Sequence, residues 1–250
     1  MNRWQMRVAF AHMVVGGLLW IAGCGTSDDL PGHTPGMPGL GAHALRYYGL
    51  STSQATSIKT PMATQPSGST IVVSVGRGKL DLFALPTDNK GNAYQQVDVN
   101  HNYTHYNTSG TALYTLTSAN GGRDFAVSAS TADEDEITLA AVEVIEGTQI
   151  QDYAWNEVVQ PEAPVPVTSK SVTTTGPATL VAFWWGDAPE PNDKTAVPNN
   201  GFKVVDSVLK SGALVQCAVA VKNVTDPGTY DVTWKATPVQ GAQLWLIAVQ

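Results

Sequence analysis

The chain has 250 residues and a formal net charge of −7, with 14 Lys and Arg side chains against 21 Asp and Glu. An acidic, lysine-poor chain lacks the basic surface that binds nucleic-acid phosphates, so the sequence predicts no nucleic-acid partner. Apolar side chains make up 43% of the residues, which is enough for a large hydrophobic core.

The first element is an N-terminal apolar segment with the composition of a secretory signal. Arg3 and Arg7 precede an apolar run at residues 8–21. This run is too short to span a bilayer comfortably, and small residues follow it. The sequence therefore predicts a signal peptide at residues 1–23.

The end of this segment, Ile21-Ala22-Gly23-Cys24, resembles the lipobox of bacterial lipoproteins. The resemblance implies cleavage before Cys24 and acylation of its sulfur and amino group, and two or three acyl chains anchor a protein stably to a membrane. Gly25 follows the cysteine, where an aspartate would resemble an inner-membrane retention signal. We therefore expect a lipid-anchored protein of the bacterial cell envelope, with the outer membrane favoured; an ordinary secretory signal or an uncleaved anchor is the alternative.

Gly, Pro, Ser and Thr dominate residues 25–41, which have too few apolar side chains to fold. We expect a flexible tether there, within a lead-in that extends over residues 24–68.

Residues 69–250 have the composition of an all-β domain. Short runs rich in Val, Ile, Thr and aromatic residues alternate with Gly, Asn, Asp and Pro, and no helical run is evident. The runs predict ten strands: 70–75, 93–99, 112–117, 125–130, 137–145, 179–184, 202–208, 214–221, 229–234 and 243–249.

These strands fall into two similar halves. Residues 70–73 match 179–182, and residues 139–143 align with 245–249. About 75 residues without a disulfide make an all-β domain of marginal stability. A single core shared by both halves would therefore be more stable than two separate cores. The sequence predicts a single jelly-roll-like β-sandwich of about ten antiparallel strands.

The two halves also resemble secreted bacterial β-sandwich modules. The resemblance rests on an Asn-aromatic turn at residues 89–94 and on Gly228-Thr229-Tyr230-Asp231-Val232-Thr233-Trp234. Such modules are often accessory or carbohydrate-associated, and the resemblance implies no particular catalytic residues.

Two aromatic segments are the candidate ligand contacts. Aromatic rings stack on sugar faces, and the amides near them bind hydroxyl groups. In a strand, one of two adjacent indoles should face outward. Ordinary loop packing, or zinc binding by the two histidines with a third ligand, is the alternative. The candidates are His101, Tyr103, His105, Tyr106, Trp184 and Trp185.

Asp133 and Asp135 belong to a run of four carboxylates that precedes the strand at Ile137, and they are candidate calcium ligands. The alternative is a solvated loop that protects the strand end. No other metal or cofactor is predicted. The unpaired Cys217 lies in an apolar run and is predicted to be a small buried residue.

Glu143 is a catalytic candidate. Strand alternation places it on the face of Ile137 and Leu139, where a carboxylate needs a partner, and sandwich glycosidases use two carboxylates. A hydrogen-bonded structural role is the alternative, and no second carboxylate can be named.

Three functional hypotheses follow. The first is a non-catalytic, lipid-anchored binding protein that recognises an extracellular polysaccharide or an envelope protein. The second is a lipid-anchored glycan hydrolase or lyase, which requires Glu143 or the acidic run at residues 133–136 to face a groove beside residues 101–107. The third is a structural subunit of an envelope or secretion assembly.

Overall fold

A computed structural model describes residues 34–49, 57–79, 83–131, 135–159, 166–188, 192–238 and 241–250. The predicted signal peptide, Cys24 and the first part of the predicted tether lie outside these residues. Every regular element within them is a β-strand. The first half of the chain contributes β1 (Gly39–Tyr48), β2 (Ser57–Met62), β3 (Thr70–Arg77), β4 (Thr87–Asp88), β5 (Gln95–Asn102), β6 (Gly110–Leu116), β7 (Phe125–Ser130) and β8 (Ile137–Ile145).

The second half repeats this series with a few shorter pieces. Its strands are β9 (Ile150–Val158), β10 (Val167–Thr168), β11 (Val172–Thr174), β12 (Ala178–Asp187), β13 (Lys203–Val208), β14 (Val215–Val224), β15 (Gly228–Tyr230), β16 (Thr233–Trp234) and β17 (Ala242–Val249).

Each half builds one five-stranded antiparallel sheet, and the two sheets have the same strand order. The first sheet runs β1-β8-β3-β6-β5, and the second runs β9-β17-β12-β14-β13. The predicted repeat is thus visible in the topology. Strands β3 and β12 are equivalent central strands, since each is flanked by the last strand of its half.

The two sheets pack face to face around one shared core. Val72, Leu113 and Val142 of the first half meet Val181 and Phe183 of the second in a single buried cluster. The predicted all-β sandwich built from two halves is confirmed, since burial of this common face stabilises both halves together.

Further layers cover the outer face of each five-stranded sheet. The three-stranded sheet β2-β7-β4 packs on the first five-stranded sheet. The strand pairs β10-β16 and β11-β15 pack on the second five-stranded sheet. Strands β3 and β17 are consequently buried at every position. This double covering explains why their sequences are apolar almost throughout instead of alternating.

Nine of the ten predicted strands correspond to single strands, whereas the one predicted at 229–234 is divided into β15 and β16, which lie in different sheets. The sheets also begin upstream of the predicted boundary at Ser69. Strand β1 pairs with β8, and β2 pairs with β7. The last residues of the predicted tether, from Gly39 onward, therefore belong to an edge strand.

The predicted alignment of the last strand in each half is wrong by one residue. Thr70 pairs with Val144, and its equivalent Thr179 pairs with Val249. Val144 is therefore the equivalent of Val249, whereas the sequence alignment matched Glu143 to it. A shift of one residue exchanges the two faces of a strand, so only the corrected alignment places the inner residues of both halves together.

The equivalent strands β3 and β12 pack with matching ends adjacent, because Gly76 of β3 lies directly against the indole of Trp185 in β12. Equivalent turns of the two halves therefore lie at the same end of the sandwich. We call this the loop end, and it carries the turn between β5 and β6, the start of β8 and the end of β12.

Candidate functional site

The turn between β5 and β6, residues 103–109, presents aromatic rings at the loop end, and we call it the aromatic loop. His105 and Tyr106 are exposed, with ring centroids 4.5 Å apart and planes at 75°. Tyr103 is completely buried beneath them, with its ring 5.7 Å from Tyr106 and 6.1 Å from His105. Two exposed rings thus stand on a buried third.

Backbone hydrogen bonds close the aromatic loop on itself. The amide of Tyr103 donates to Ser109 O at 2.8 Å, and the amide of Asn107 donates to Tyr103 O at 2.7 Å. Asn107 has a φ of 54°, which asparagine tolerates better than most residues. These bonds fix the loop backbone, so ligand binding there would require little ordering.

The aromatic loop belongs to the first half, but the second half supports it. The ring of Tyr103 packs edge-on against Trp185 at 6.3 Å, and a Cβ on Gly241 would collide with the Tyr103 hydroxyl. The Thr104 amide donates to the carboxylate of Glu157 at 3.2 Å. The site is therefore composite, with contributions from both halves.

His101 lies at the base of the loop and supports it from below. Its ring stacks on Trp155 with centroids 3.7 Å apart and planes at 10°, and it meets the edge of Trp245 at 5.1 Å. Its Nε2 lies 3.0 Å from Asp98 Oδ2. His101 therefore packs against two tryptophan rings and does not lie beside the exposed rings of His105 and Tyr106.

A buried hydrogen-bond chain links this packing to the loop. Trp245 Nε1 donates to Thr111 Oγ1 at 2.8 Å, and Thr111 Oγ1 donates to Gln243 Oε1 at 2.6 Å. Gln243 Nε2 donates to Glu157 Oε2 at 3.0 Å. Because Glu157 holds the Thr104 amide, the chain fixes the loop against the second sheet.

Trp184 and Trp185 are both buried, and the expectation that one indole faces solvent is wrong. Trp185 points into the shared core and Trp184 into the outer core of the second half. Strand alternation does separate them, but both faces of this sheet are covered. Trp185 acts at the site only as the support for Tyr103.

Asp187 is a site residue that the sequence did not single out. It ends β12, two residues after Trp185, and therefore shares the inward face of that strand. The pKa of Asp187 is raised to about 6, chiefly by burial; the carboxylate of Glu136 acts in the same direction, and the nearby His105 acts against it. A carboxyl group that titrates near neutral pH thus adjoins the aromatic loop.

The acidic run before β8 is structural in its described part. Asp135 is buried and forms an ion pair with Arg77, which is also buried. Glu136 is buried too, and its Oε2 accepts hydrogen bonds from the Leu214 and Val215 amides at 2.9 and 3.2 Å. These two residues do not form the solvated loop considered for them.

No grouping of three or more His, Cys, Asp or Glu residues suited to a metal ion occurs in the part of the chain that the structure describes. Asp133, the other calcium candidate, lies outside that part. The arginine that pairs with Asp135 directs that carboxylate inward and supplies its counter-charge.

The Glu143 carboxylate is buried and surrounded by hydrogen-bond donors of the protein. It faces the same side as Ile137 and Leu139, as alternation predicts, and it is buried. Its Oε1 accepts from the Gln65 amide and the Ser69 hydroxyl, both at 2.7 Å, and its Oε2 accepts from the Ala42 amide at 2.9 Å. Three donors at these distances describe a structural carboxylate.

The second half has no equivalent of the aromatic loop. The corresponding turn, residues 209–214, contains no aromatic side chain, and its Leu209 and Ala213 are buried. The alignment of Thr70 with Thr179 places Gly78 where the second half has Asp187. The rings and the nearby carboxyl therefore occur together at one of the two equivalent positions.

Comparison of the chain with protein-family models, with curated proteins and with solved structures finds no match. Among the described residues, no helix has the length and apolar character needed to cross a membrane.

Proposed function

We propose that the protein is a lipid-anchored binding protein of the bacterial cell envelope that recognises a glycan at its loop end. The observation that carries this proposal is the exposed pair His105 and Tyr106, standing on the buried ring of Tyr103. Sugar rings present apolar faces that stack on aromatic side chains.

Polar groups surround the exposed pair. Asn102, Thr104 and Asn107 are exposed on or beside the aromatic loop, and Asp187 adjoins it. Amides, hydroxyls and carboxylates bind the hydroxyl groups of a sugar, and large contiguous apolar patches are what mark many protein–protein sites. This composition favours the glycan over an envelope protein.

The hydrolase hypothesis requires Glu143, or the acidic run at residues 133–136, to face a groove beside the aromatic loop. Of that run, Asp135 is paired with Arg77, and Glu136 accepts hydrogen bonds from two backbone amides. Glu143 is saturated by backbone and hydroxyl donors and lies inside a core, so it does not face a substrate. An accessible strand edge would favour the structural-subunit hypothesis. Both β5 and β13 carry bulges that interrupt their register, and bulges hinder strand addition at an edge.

Binding is tested with residues 24–250 carrying Cys24→Ser, which retain every described strand. We expect this protein to bind one class of oligosaccharide on a glycan array without releasing reducing ends. Tyr106→Ala should lower affinity at least about tenfold, since stacking and hydrogen bonds at such sites contribute about 1–3 kcal/mol.

The matched control is Tyr153→Ala. Tyr153 is 42% exposed and Tyr106 is 41% exposed, so both variants remove a similar surface ring, but Tyr153 lies on β9. Equal losses in both variants would refute a binding site at the aromatic loop. Release of reducing ends by the parent protein would instead contradict a purely binding function.

The anchor is tested separately by labelling cells with a radioactive fatty acid such as palmitate. The full-length protein should incorporate label and fractionate with the outer membrane, and Cys24→Ser should do neither. Labelling that persists in Cys24→Ser would contradict the proposed lipidation.

A further inference from the structure

Carboxylates dominate the surroundings of the aromatic loop. Glu157 holds the loop backbone and Asp98 lies against His101. Asp187 and Glu136 lie close enough together for Glu136 to raise the pKa of Asp187. The buried Arg77 is paired with Asp135. An anionic ligand would therefore meet like charge at this site.

Resting on the proposed function, we propose that the site selects neutral glycans, with the Asp187 carboxylate accepting hydrogen bonds from sugar hydroxyls. Glycans that carry carboxylate or sulfate groups are excluded by the same charges. The ligand class is thus a neutral polyhydroxylated ring with at least one hydroxyl next to the face that stacks on Tyr106.

The placement of Asp187 supports its role in selectivity. It lies two residues beyond Trp185, the indole on which Tyr103 packs, and it shares the inward face of β12. Asp187 pairs with Val215 across the sheet, and the Val215 amide donates to Glu136. His105 of the aromatic loop lies close enough to lower the pKa of Asp187. Asp187 therefore lies at the foot of the ring pair.

A half-buried carboxylate at this position lacks part of the hydration that it would have in water. Sugar hydroxyls can replace that hydration by donating hydrogen bonds, and bonds to a charged acceptor are the stronger kind. A carboxylate ligand offers no such donor and adds repulsion. The favourable partner of Asp187 is accordingly neutral and rich in hydroxyl groups.

The internal repeat predicts a single site. Gly78 replaces Asp187 at the equivalent position of the first half, and the turn at residues 209–214 lacks rings. Although the two halves share one fold, only one combination of loop and strand end carries the recognition groups. We expect one ligand per chain.

The test measures binding by calorimetry to two panels, using residues 24–250 with Cys24→Ser. One panel contains neutral oligosaccharides of glucose, mannose, xylose and galactose, and the other contains polygalacturonate, alginate and sulfated glycans. We expect saturable binding within the neutral panel at one ligand per chain. Asp187→Asn should weaken it about tenfold or more.

The matched control is Asp226→Asn, which removes the same charge at an exposed turn between β14 and β15. It should bind as the parent does.

Affinity of the parent should also fall as the pH drops below about 6, where Asp187 becomes protonated. The other groups that titrate or carry charge around it are His105, Glu136, Tyr47 and the Arg77–Asp135 pair. The pH dependence that disappears in Asp187→Asn belongs to Asp187.

The outcomes separate the two proposals. Binding of the acidic panel, two ligands per chain, or unchanged affinity in Asp187→Asn would overturn the neutral-glycan inference and leave glycan binding intact. Failure to bind either panel would overturn the proposed function itself. Near-ultraviolet circular dichroism of Asp187→Asn confirms that a loss of affinity is not a loss of fold.

Discussion

Asp187 has a carboxyl group that folding makes harder to ionise. Its pKa rises from an ordinary 3.8 to about 6, chiefly because of burial. The native state therefore holds this proton more tightly than the unfolded chain does. The stability that the protonated group contributes is present at low pH and is lost as the pH rises through about 6.

Asp187→Asn should consequently stabilise the protein at pH 7.5. The shift corresponds to at most about 3 kcal/mol, and partial contact with solvent lowers the expected gain to about 1–2 kcal/mol. At pH 4 the gain should be close to zero, since the carboxyl group is then protonated in the native state. Urea unfolding at both pH values measures the difference, and an equal effect at both would contradict it.

Glu143 is the opposite case, a buried carboxylate that three hydrogen-bond donors satisfy. Glu143→Gln places an amide group against one of those donors, so the free energy of unfolding should fall by about 2–3 kcal/mol. Glycan binding should be unchanged while the variant is folded. Glu146→Gln, three residues along and exposed, is the control and should cost less than about 1 kcal/mol. Loss of binding in folded Glu143→Gln would restore Glu143 as a site residue.

At the level of single residues, the sequence predicted which side chains need a partner better than it predicted which side chains face solvent. The partner that Glu143 needs and the burial of Cys217 followed from alternation and composition, and the structure confirms both. Alternation also predicted that Trp184 and Trp185 point to opposite faces. It could not show that both faces are covered, because the covering strands come from distant parts of the chain. Asp187 was missed for the same reason, since its burial depends on the first half.

The contact between β3 and β12 determines how closely the two sheets approach. Gly76 has no side chain, and the indole of Trp185 occupies the space that a Cβ would fill. Gly76→Ala should therefore destabilise the protein by about 1–3 kcal/mol through overpacking. Because Trp185 supports Tyr103, glycan affinity should fall as well.

Gly78→Ala is the matched control for this contact. A Cβ at Gly78 would have its nearest neighbour at 3.9 Å, an ordinary packing distance. Thermal unfolding and glycan titration of both variants measure the prediction. If Gly76→Ala is as stable as Gly78→Ala, the added methyl group is accommodated without loss of stability, and the overpacking prediction is wrong.

The strands that the sequence did not predict share one property, which is dependence on distant neighbours. Strand β1 contains two glycines and an arginine, and β9 contains four polar residues, so neither shows clean alternation. Both are edge strands that pair with the last strand of a half. Strands β4, β10 and β11 have only two or three residues. Local composition cannot identify elements whose pairing is set by tertiary packing.

The whole molecule is organised around the face that its two halves share. Each five-stranded sheet places half of its apolar side chains in this common core and the other half in an outer core of its own. The sequence predicted this pooling from the marginal size of each half. It could not predict that matching ends lie together, which brings the aromatic loop of one half beside Asp187 of the other.

The shared core implies that neither half is stable alone. A fragment that ends at residue 148 would expose Val72, Leu113 and Val142 to water, and each buried aliphatic side chain contributes about 1.5–3 kcal/mol. We expect the intact protein to unfold in one calorimetric transition, with equal calorimetric and van't Hoff enthalpies. The fragment 24–148 carrying Cys24→Ser should be unfolded, or should associate through its inner face and sediment as a dimer or larger species. A monomeric fragment with a cooperative transition of its own, or two transitions in the intact chain, would show instead that the halves are independent domains and that the composite site forms only after they dock.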